Sequence, residues 1–435
     1  MLSHQFALPF REAAPYINAF RGKTFVLAVS GENVDSGHFP RLAQDIYLLV
    51  SLGVHVVLVH GIRPQIDKLL SRHNIERRFH RHRRITDDET IDIVKQAVGL
   101  ARHDIEASLS TGMPNSPMHG AHLRIVGGNV LTAQPLGVID GIDMQYTGLI
   151  RRIDTTALQS WLANGDLVLL SPIGYSPTGE AFNLTMEEVA TETAIALKAE
   201  KIIFLIEGRG ILDNDGELIN NMTAQQAEEL LAADSVNAES QAYIPYAVRA
   251  TREGVIRAHL VSGNTDGAML TELFTSAGSG SMIARDPLVK LRPATMDDIG
   301  DLLGLIRPLE EQNILVRRSR EHLEMEIGRY TVLEHDNRIY GCVAMHPFSD
   351  ADTAELACLA VAPERRNSGF GEMLLLHIEY QARTQGLTSL FVLTTKTSHW
   401  FIERGFAEAT PNWLPDERQR MYNKQRRSKV FVKQL

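Results

Sequence analysis

Cysteine is nearly missing from this chain, with only Cys342 and Cys358 among 435 residues. That excludes a disulfide framework beyond one bridge and points to a reducing compartment. Excess basic charge is missing as well. The formal net charge is -9, which argues against nucleic acid as the main partner, because such proteins need a positive footprint. No apolar run approaches the roughly 18 residues that span a membrane. The first residues lack the basic segment and apolar run of a signal peptide. A cytoplasmic protein without a membrane partner is expected. Long internal repeats and low-complexity tracts are missing too. What remains is 44% hydrophobic and 22% charged, the make-up of an ordinary globular protein. At about 150 residues per domain, two or three domains are expected.

The first part of the chain alternates short apolar runs with helical patterns. Thr24–Ser30, Val54–Val59, Asp166–Leu170 and Lys201–Leu205 read as buried strands. A helix is expected over Arg41–Leu52, with Leu42, Ile46 and Leu49 on one face, and another from Pro64. Continuous apolar strands separated by helices imply an α/β fold, a mostly parallel sheet covered on both faces. The Gly- and Ser-rich stretch Thr275–Asp286, followed by Pro287, breaks the pattern. Residues 1–283 are expected to form one domain, 284–290 a linker and 291–435 a second α/β domain.

Ala354–Gly386 carries the most information. Glu355–Val361 reads as a strand that Pro363 ends. The turn Glu364–Gly371 then leads into a helix whose apolar face holds Met373, Leu374, Leu375, Ile378 and Ala382. Gly369 and Gly371 lack Cβ atoms, so the backbone can approach a bulky ligand or take a positive φ. Successive N–H groups at a helix N-terminus suit a diphosphate. Arg366 adds a planar, fixed positive charge. The sequence Arg366-Asn367-Ser368-Gly369-Phe370-Gly371 resembles the acyl-CoA motif of the GCN5-related N-acetyltransferase superfamily, Arg/Gln-x-x-Gly-x-Gly/Ala. The strand Leu390–Leu393 and the segment Trp400–Phe406 resemble the superfamily's closing part. The resemblance covers about 291–435. It implies acetyl-CoA as cosubstrate, held by Cys358, Leu359, Ala360, Val361, Arg366, Asn367, Ser368, Gly369, Phe370, Gly371, Glu372, Phe401 and Arg404. It calls for no metal.

Acetyl transfer to an amine needs a base, because the amine is mostly protonated at pH 7. It also needs an acid for the leaving thiolate. Glu355 is the only ionisable group of its strand apart from the Cys358 thiol, and is the candidate base. Strict alternation puts Glu355, Ala357, Leu359 and Val361 on one face and Leu356, Cys358 and Ala360 on the other. Cys358 reads as a small buried hydrophobe offering backbone contacts, not as a nucleophile. Ser398 and Tyr422 are candidates for the acid. Arg317 and Arg318, beside Arg320, and Arg426 and Arg427, beside Lys429, can bind carboxylates through forked donors. Lys396 is a further candidate. Outside that chemistry, Glu355 is an exposed strand-end carboxylate and the arginines are solvated surface charge.

Residues from about 20 to 283 resemble the amino acid kinase family. The matching pieces are Val26–Gly31, Val59–Ile66, Arg84–Asp87 and Gly278–Ile283. The departures matter more. The family's first-loop lysine is Ala28 here, its glycine pair is Ser30-Gly31, and its His-Gly-Gly-Gly-Pro loop reads His60-Gly61-Ile62-Arg63-Pro64. Phosphoryl transfer depends on such positive charge and close backbone donors, so no kinase activity is expected. Arginine-inhibited kinases of this type carry an N-terminal helix, matched by Phe10–Phe20, and an arginine pocket near the domain's end. The resemblance assigns that pocket to Tyr16, His259, Glu272, Ala277, Gly278 and Gly280.

A degraded kinase domain joined to an acetyltransferase domain resembles the bacterial N-acetylglutamate synthase family. That implies acetyl-CoA + L-glutamate giving N-acetyl-L-glutamate + CoA, the first step of arginine biosynthesis, by direct attack in a ternary complex. It further implies inhibition by L-arginine and a hexameric homo-oligomer. Two alternatives stand beside it: an arginine-sensing acetyltransferase of protein lysine, and an active acetylglutamate kinase with an accessory domain.

Overall fold

The computed structural model describes residues 2–111, 123–275, 277–287, 289–335, 338–366, 368–423, 426 and 428–435. The chain divides into two compact units, Met1–Asp286 and Pro287–Leu435. No described helix is long and apolar enough to cross a membrane.

The N-terminal unit is built on eight strands: β1 (Thr24–Val29), β2 (His55–His60), β3 (Ile125–Val126), β4 (Leu167–Leu170), β5 (Lys201–Ile206), β6 (Asn221–Thr223), β7 (Arg257–Ser262) and β8 (Ser281–Ala284). Their order is β6-β8-β7-β5-β1-β2-β4-β3. All neighbours are parallel except β7 and β8. Alternate residues of β1 feed two cores, Val26 and Ala28 on one face and Phe25, Leu27 and Val29 on the other. That double burial explains why the central strands are unbroken apolar runs. A four-stranded sheet (Ala181–Asn183, Ile173–Tyr175, Leu131–Pro135 and Gly148–Ile153) completes the unit. The N-terminal helix spans Leu2–Phe20, longer than the expected Phe10–Phe20.

Ala28, where the kinase pattern has lysine, is fully buried in β1. The loops after β1 and β2 close on one another: a Cβ on Gly61 would lie 2.6 Å from the Gly31 nitrogen.

The C-terminal unit is one seven-stranded sheet: β9 (Val289–Pro293), β10 (Tyr330–His335), β11 (Arg338–Phe348), β12 (Thr353–Val361), β13 (Ser389–Thr394), β14 (Ala407–Ala409) and β15 (Lys429–Gln434). The order is β9-β10-β11-β12-β13-β15-β14. Every pair is antiparallel except β12 with β13. The motif helix, Phe370–Thr384, covers one face through Leu374, Leu375 and Ile378. The helix Ile299–Glu311 covers the other through Leu302, Leu303 and Ile306. Thr295 and Asp298 cap the turn that opens it, with Asp298 also gripped by Arg292 through two N–H donors at 2.7 and 2.9 Å.

Candidate functional site

The parallel pair β12–β13 is the geometric centre of the C-terminal site. It is in register only from Thr353–Ser389 to Leu356–Val392. Beyond Leu356 the backbone edge of β12 has no β13 partner, so Ala357–Val361 present peptide groups along a widening gap. An extended, amide-bearing arm can complete such an edge as an added strand does. Cys358, Leu359, Ala360 and Val361, expected to contact the acyl donor, all lie in this stretch.

The expected face assignment needs correction. Cys358 has φ +52°. Ala344 pairs with Ala357 but Cys342 pairs with Ala360, so Cys358 and Leu359 together oppose Val343. This is a β-bulge, and it reverses the parity of everything after it. Ala357, Cys358 and Ala360 pack toward the helix Ile299–Glu311, whereas Leu359 and Val361 pack toward the motif helix. Glu355 therefore shares a face with Ala357 and the Cys358 side chain, not with Leu359 and Val361.

Glu355 is half-buried and ion-paired, which rules out the exposed strand-end reading. Arg418, in the short helix Asp416–Arg420, grips it with two N–H donors: Nε to Oε2 at 2.5 Å and Nη2 to Oε1 at 3.0 Å. His346 stands directly opposite Glu355 on β11. Sequence reading missed both partners. Arg418 lies in an unremarkable charged stretch, and His346 gains meaning only through strand pairing.

On the same face, the Arg318 guanidinium lies among Cys358, Tyr330, Glu310 and Cys342. Burial works against its charge, yet these neighbours hold its pKa above the ordinary value. Its backbone N–H donates to Glu310 at 2.9 Å. Arg426 donates to the carbonyls of Asn313 and Ile314 at 3.2 and 2.6 Å, while its buried Nε has no hydrogen-bond partner. Its pKa is lowered, by burial first and by Arg318 second. Among the described residues, neither guanidinium has a carboxylate within salt-bridge distance. Glu310 acts on Arg318 only from beyond that distance, so the two mutually repelling cations still form a site that suits an acid group. Arg317 and Lys396 are exposed, and Arg427 lies outside the described residues.

Of the candidate acids, Ser398 is half-buried at the first turn of the helix Ser398–Ile402. The Tyr422 hydroxyl donates to the Ser428 carbonyl at 2.6 Å, so its proton is already engaged within the protein.

The phosphate-loop residues gather at the start of the motif helix. Gly369 is its N-cap, with φ +82°. A Cβ there would meet nothing within 4 Å, so backbone conformation, not crowding, demands glycine at this position. Gly371 differs: a Cβ would lie 3.3 Å from Trp400 Cζ2. Arg404 stacks over Trp400 at 4.1 Å, donates to its carbonyl at 3.1 Å, and keeps a buried Nε without a hydrogen-bond partner. Phe401 is buried beside Trp400. Phe370 is buried against Tyr340. Arg366, Ser368 and Glu372 are exposed, and Asn367 lies outside the described residues.

In the N-terminal unit, the expected arginine pocket holds a buried polar chain. Glu272, from the helix Ala268–Phe274, accepts from Ser279 and Gly280 N–H at 2.7 and 2.8 Å and pairs with His259 Nδ1 at 2.7 Å. Burial opposes its charge, but these donors hold its pKa down at about 2. His259 is lowered to about 4, by burial and then by Lys201. Lys201 Nζ lies 3.2 Å from His259 Nε2 and 5.1 Å above the Phe20 ring. Phe20 contacts half-buried Tyr16 at 6.1 Å. Gly278 has φ +67°, and a Cβ there would lie 2.6 Å from Glu272 Oε2. Ala277 is exposed, its carbonyl receiving Asn220 at 3.4 Å. Lys201 is the member that sequence reading missed. Its signal was a lysine opening an otherwise apolar strand.

Comparison with known proteins fits both units. Residues 23–262 match the amino acid kinase family, and residues 297–406 match the acetyltransferase (GNAT) family. An amino-acid acetyltransferase of Ralstonia nicotianae is 47% identical over 99% of this chain and 96% of its own. Another from Yersinia pseudotuberculosis is 49% identical over 98% of each.

The chain belongs to the amino-acid acetyltransferase family.

Two solved structures of N-acetylglutamate synthase from Neisseria gonorrhoeae are also similar, each covering 99% of both chains. The complex with coenzyme A and L-arginine has 41% identity and a TM-score of 0.93. The complex with coenzyme A and N-acetyl-glutamate has 42% identity and a TM-score of 0.64.

For an amino-acid acetyltransferase, the C-terminal arrangement supplies the parts the reaction needs. The backbone edge beyond Leu356 is free of β13 and can take a thioester arm, and the N-terminus of the motif helix suits a diphosphate. Glu355 and Arg318 both act on His346, so a carboxylate and a guanidinium flank the same part of the sheet, the two kinds of group an amino acid's amine and carboxylate call for. Among the described residues, no cluster of three or more His, Cys, Asp or Glu side chains could hold a metal.

Proposed function

We propose that this amino-acid acetyltransferase converts acetyl-CoA and L-glutamate into N-acetyl-L-glutamate and CoA, the first committed step toward arginine. The amine attacks the thioester directly, in a ternary complex. Glu355 accepts its proton, Arg318 and Arg426 hold the carboxylates, and Gly369–Gly371 with Arg404 hold the CoA phosphates. Arg317, Arg427 and Lys396 belong to the rim of the acceptor site. Ser398 is the better placed of the two candidate acids, because the Tyr422 proton is engaged. The regulatory domain runs through β8, which ends at Ala284, and the catalytic domain opens with β9 at Val289, so the linker is shorter than the expected 284–290. L-Arginine inhibits through the polar chain of Lys201, His259 and Glu272. The regulatory domain transfers no phosphoryl group, since apolar Ala28 stands where a lysine would be needed. The enzyme works in the cytoplasm as a hexamer.

One observation carries the choice of glutamate: the two guanidiniums without a carboxylate, which suit an acceptor with two acid groups. The ligands named for the Neisseria gonorrhoeae enzyme support the same choice.

Arg318→Ala and Arg426→Ala test it. A hydrogen bond to a charged group contributes about 1.5–3 kcal/mol, so the KM for glutamate is expected to rise roughly 10- to 100-fold in each. Acetyl-CoA affinity should stay unchanged. An unaltered KM in both variants would contradict the assignment.

A further inference from the structure

We propose that His346 is a positioning residue of the acetyl-transfer site, acting on Glu355 from the neighbouring strand. The proposal rests on the reading of Glu355 as the base. Directly paired residues of antiparallel strands point to the same face with Cβ atoms about 4.5–5.5 Å apart. The ring and the carboxylate are therefore cross-strand neighbours on the bulged face that also carries Arg318.

Each of the two is held by its own arginine. Arg418 clamps Glu355, and Arg329 Nη1 lies 2.7 Å from His346 Nδ1. A guanidinium can only donate. Nδ1 must therefore accept, and the proton of the neutral ring sits on Nε2. Glu326 stands behind this contact, 3.0 Å from Arg329 Nη1 and 3.9 Å from His346 Nδ1. Glu326 is in turn bound by His322 at 3.1 Å. The charged groups that face His346 are thus Glu326, Glu355, Arg329 and Arg318. Burial outweighs the two carboxylates and lowers its pKa below the usual imidazole value. At neutral pH the ring is an uncharged N–H donor beside a carboxylate.

The chemistry balances without a bond to histidine. One proton leaves the acceptor's ammonium for the Glu355 carboxylate, which becomes a carboxylic acid and later returns the proton to solvent. The freed amine pair forms the new C–N bond as the C–S bond breaks, and the nitrogen's surplus proton passes to the departing thiolate, through Ser398 as the acid, to give the CoA thiol. No direct hydrogen bond joins His346 to Glu355, and the role proposed for the His346 Nε2–H is to orient the neighbouring carboxylate once the acceptor amine is bound. When His346 gains a second proton, Nδ1 becomes a donor facing Arg329 and the alignment is lost.

Two replacements in the full chain separate this role from packing. Gln reaches the Nε2 position with an N–H donor. Asn reaches only the Nδ1 position, where its carbonyl can still accept from Arg329. His346→Asn is expected to lower kcat about 10-fold or more at unchanged acetyl-CoA affinity, with His346→Gln restoring most of it. Asn matching or exceeding Gln would make His346 merely a partner for Arg329 and overturn the proposal. If neither replacement keeps the wild-type melting temperature, Arg329→Leu decides. Removing that cation raises the imidazole pKa, so the acidic limb of kcat should move to higher pH. An unmoved limb would overturn the proposal. Glu355→Gln with normal turnover and an ordinary pH–rate profile would instead remove the base on which the proposal rests.

Discussion

Gly369 and Gly371 occupy the same motif for different reasons. At Gly369 the backbone has φ +82° with open space around the missing side chain. An L side chain in that left-handed region costs roughly 1–2 kcal/mol, and a branched one costs more. Gly369→Ala is therefore expected to weaken CoA binding about 10-fold by calorimetry, and Gly369→Val further, through conformation alone. Equal affinity in wild type and Gly369→Val would remove the loop from the CoA site. Gly371→Ala would instead press on Trp400. The motif was legible because both glycines are local. The surroundings of Glu355 were not. Arg418 lies 63 positions away in sequence, and no periodicity links it to the strand. The bulge at Cys358 was equally invisible, since alternation along one strand says nothing of an extra residue relative to its partner.

The main strands were readable because their runs are continuous and apolar, which a sheet buried on both faces requires. Their ends were less so: β12 begins at Thr353 and β2 ends at His60, inside polar residues that pairing draws into the ladder. His60 carries a prediction for the N-terminal unit. It is fully buried at the end of β2, with Nε2 2.8 Å from Ser171 Oγ. Burial lowers its pKa to about 4, and that of His259 in β7 to about 4 as well. An unfolded histidine titrates near pH 6.5, so below that the unfolded chain binds protons that the folded chain refuses. This contribution to stability is fully present above pH 6.5 and is lost progressively toward pH 4. The thermal unfolding midpoint should fall across that window, and His60→Asn should flatten the fall. A midpoint that stays level from pH 7 to 4.5 would show that neither ring is held neutral.

At the scale of the whole molecule, a kinase-like unit with Ala28 in place of the pattern's lysine accompanies an acetyltransferase unit that keeps the motif glycines, the unpaired edge of β12 and an ion-paired Glu355. The donor is legible in the local chemistry of Arg366–Gly371, and the acceptor in the pairing of the two domains. The structure adds a physical reason for the acceptor in the Arg318–Arg426 pair, which has no carboxylate within salt-bridge distance among the described residues. Regulation belongs to the same scale. Glu272→Gln keeps the volume but removes the charge that would meet a guanidinium, and it should relieve arginine inhibition while leaving uninhibited turnover intact. Full arginine sensitivity in that variant would move the inhibitor elsewhere. Glutamate acetylation is tested most directly by thiol release from acetyl-CoA across a panel of free amino acids. Glutamate should give release well above glutamine, alanine and lysine. Release from glutamate no greater than from alanine or lysine would contradict it.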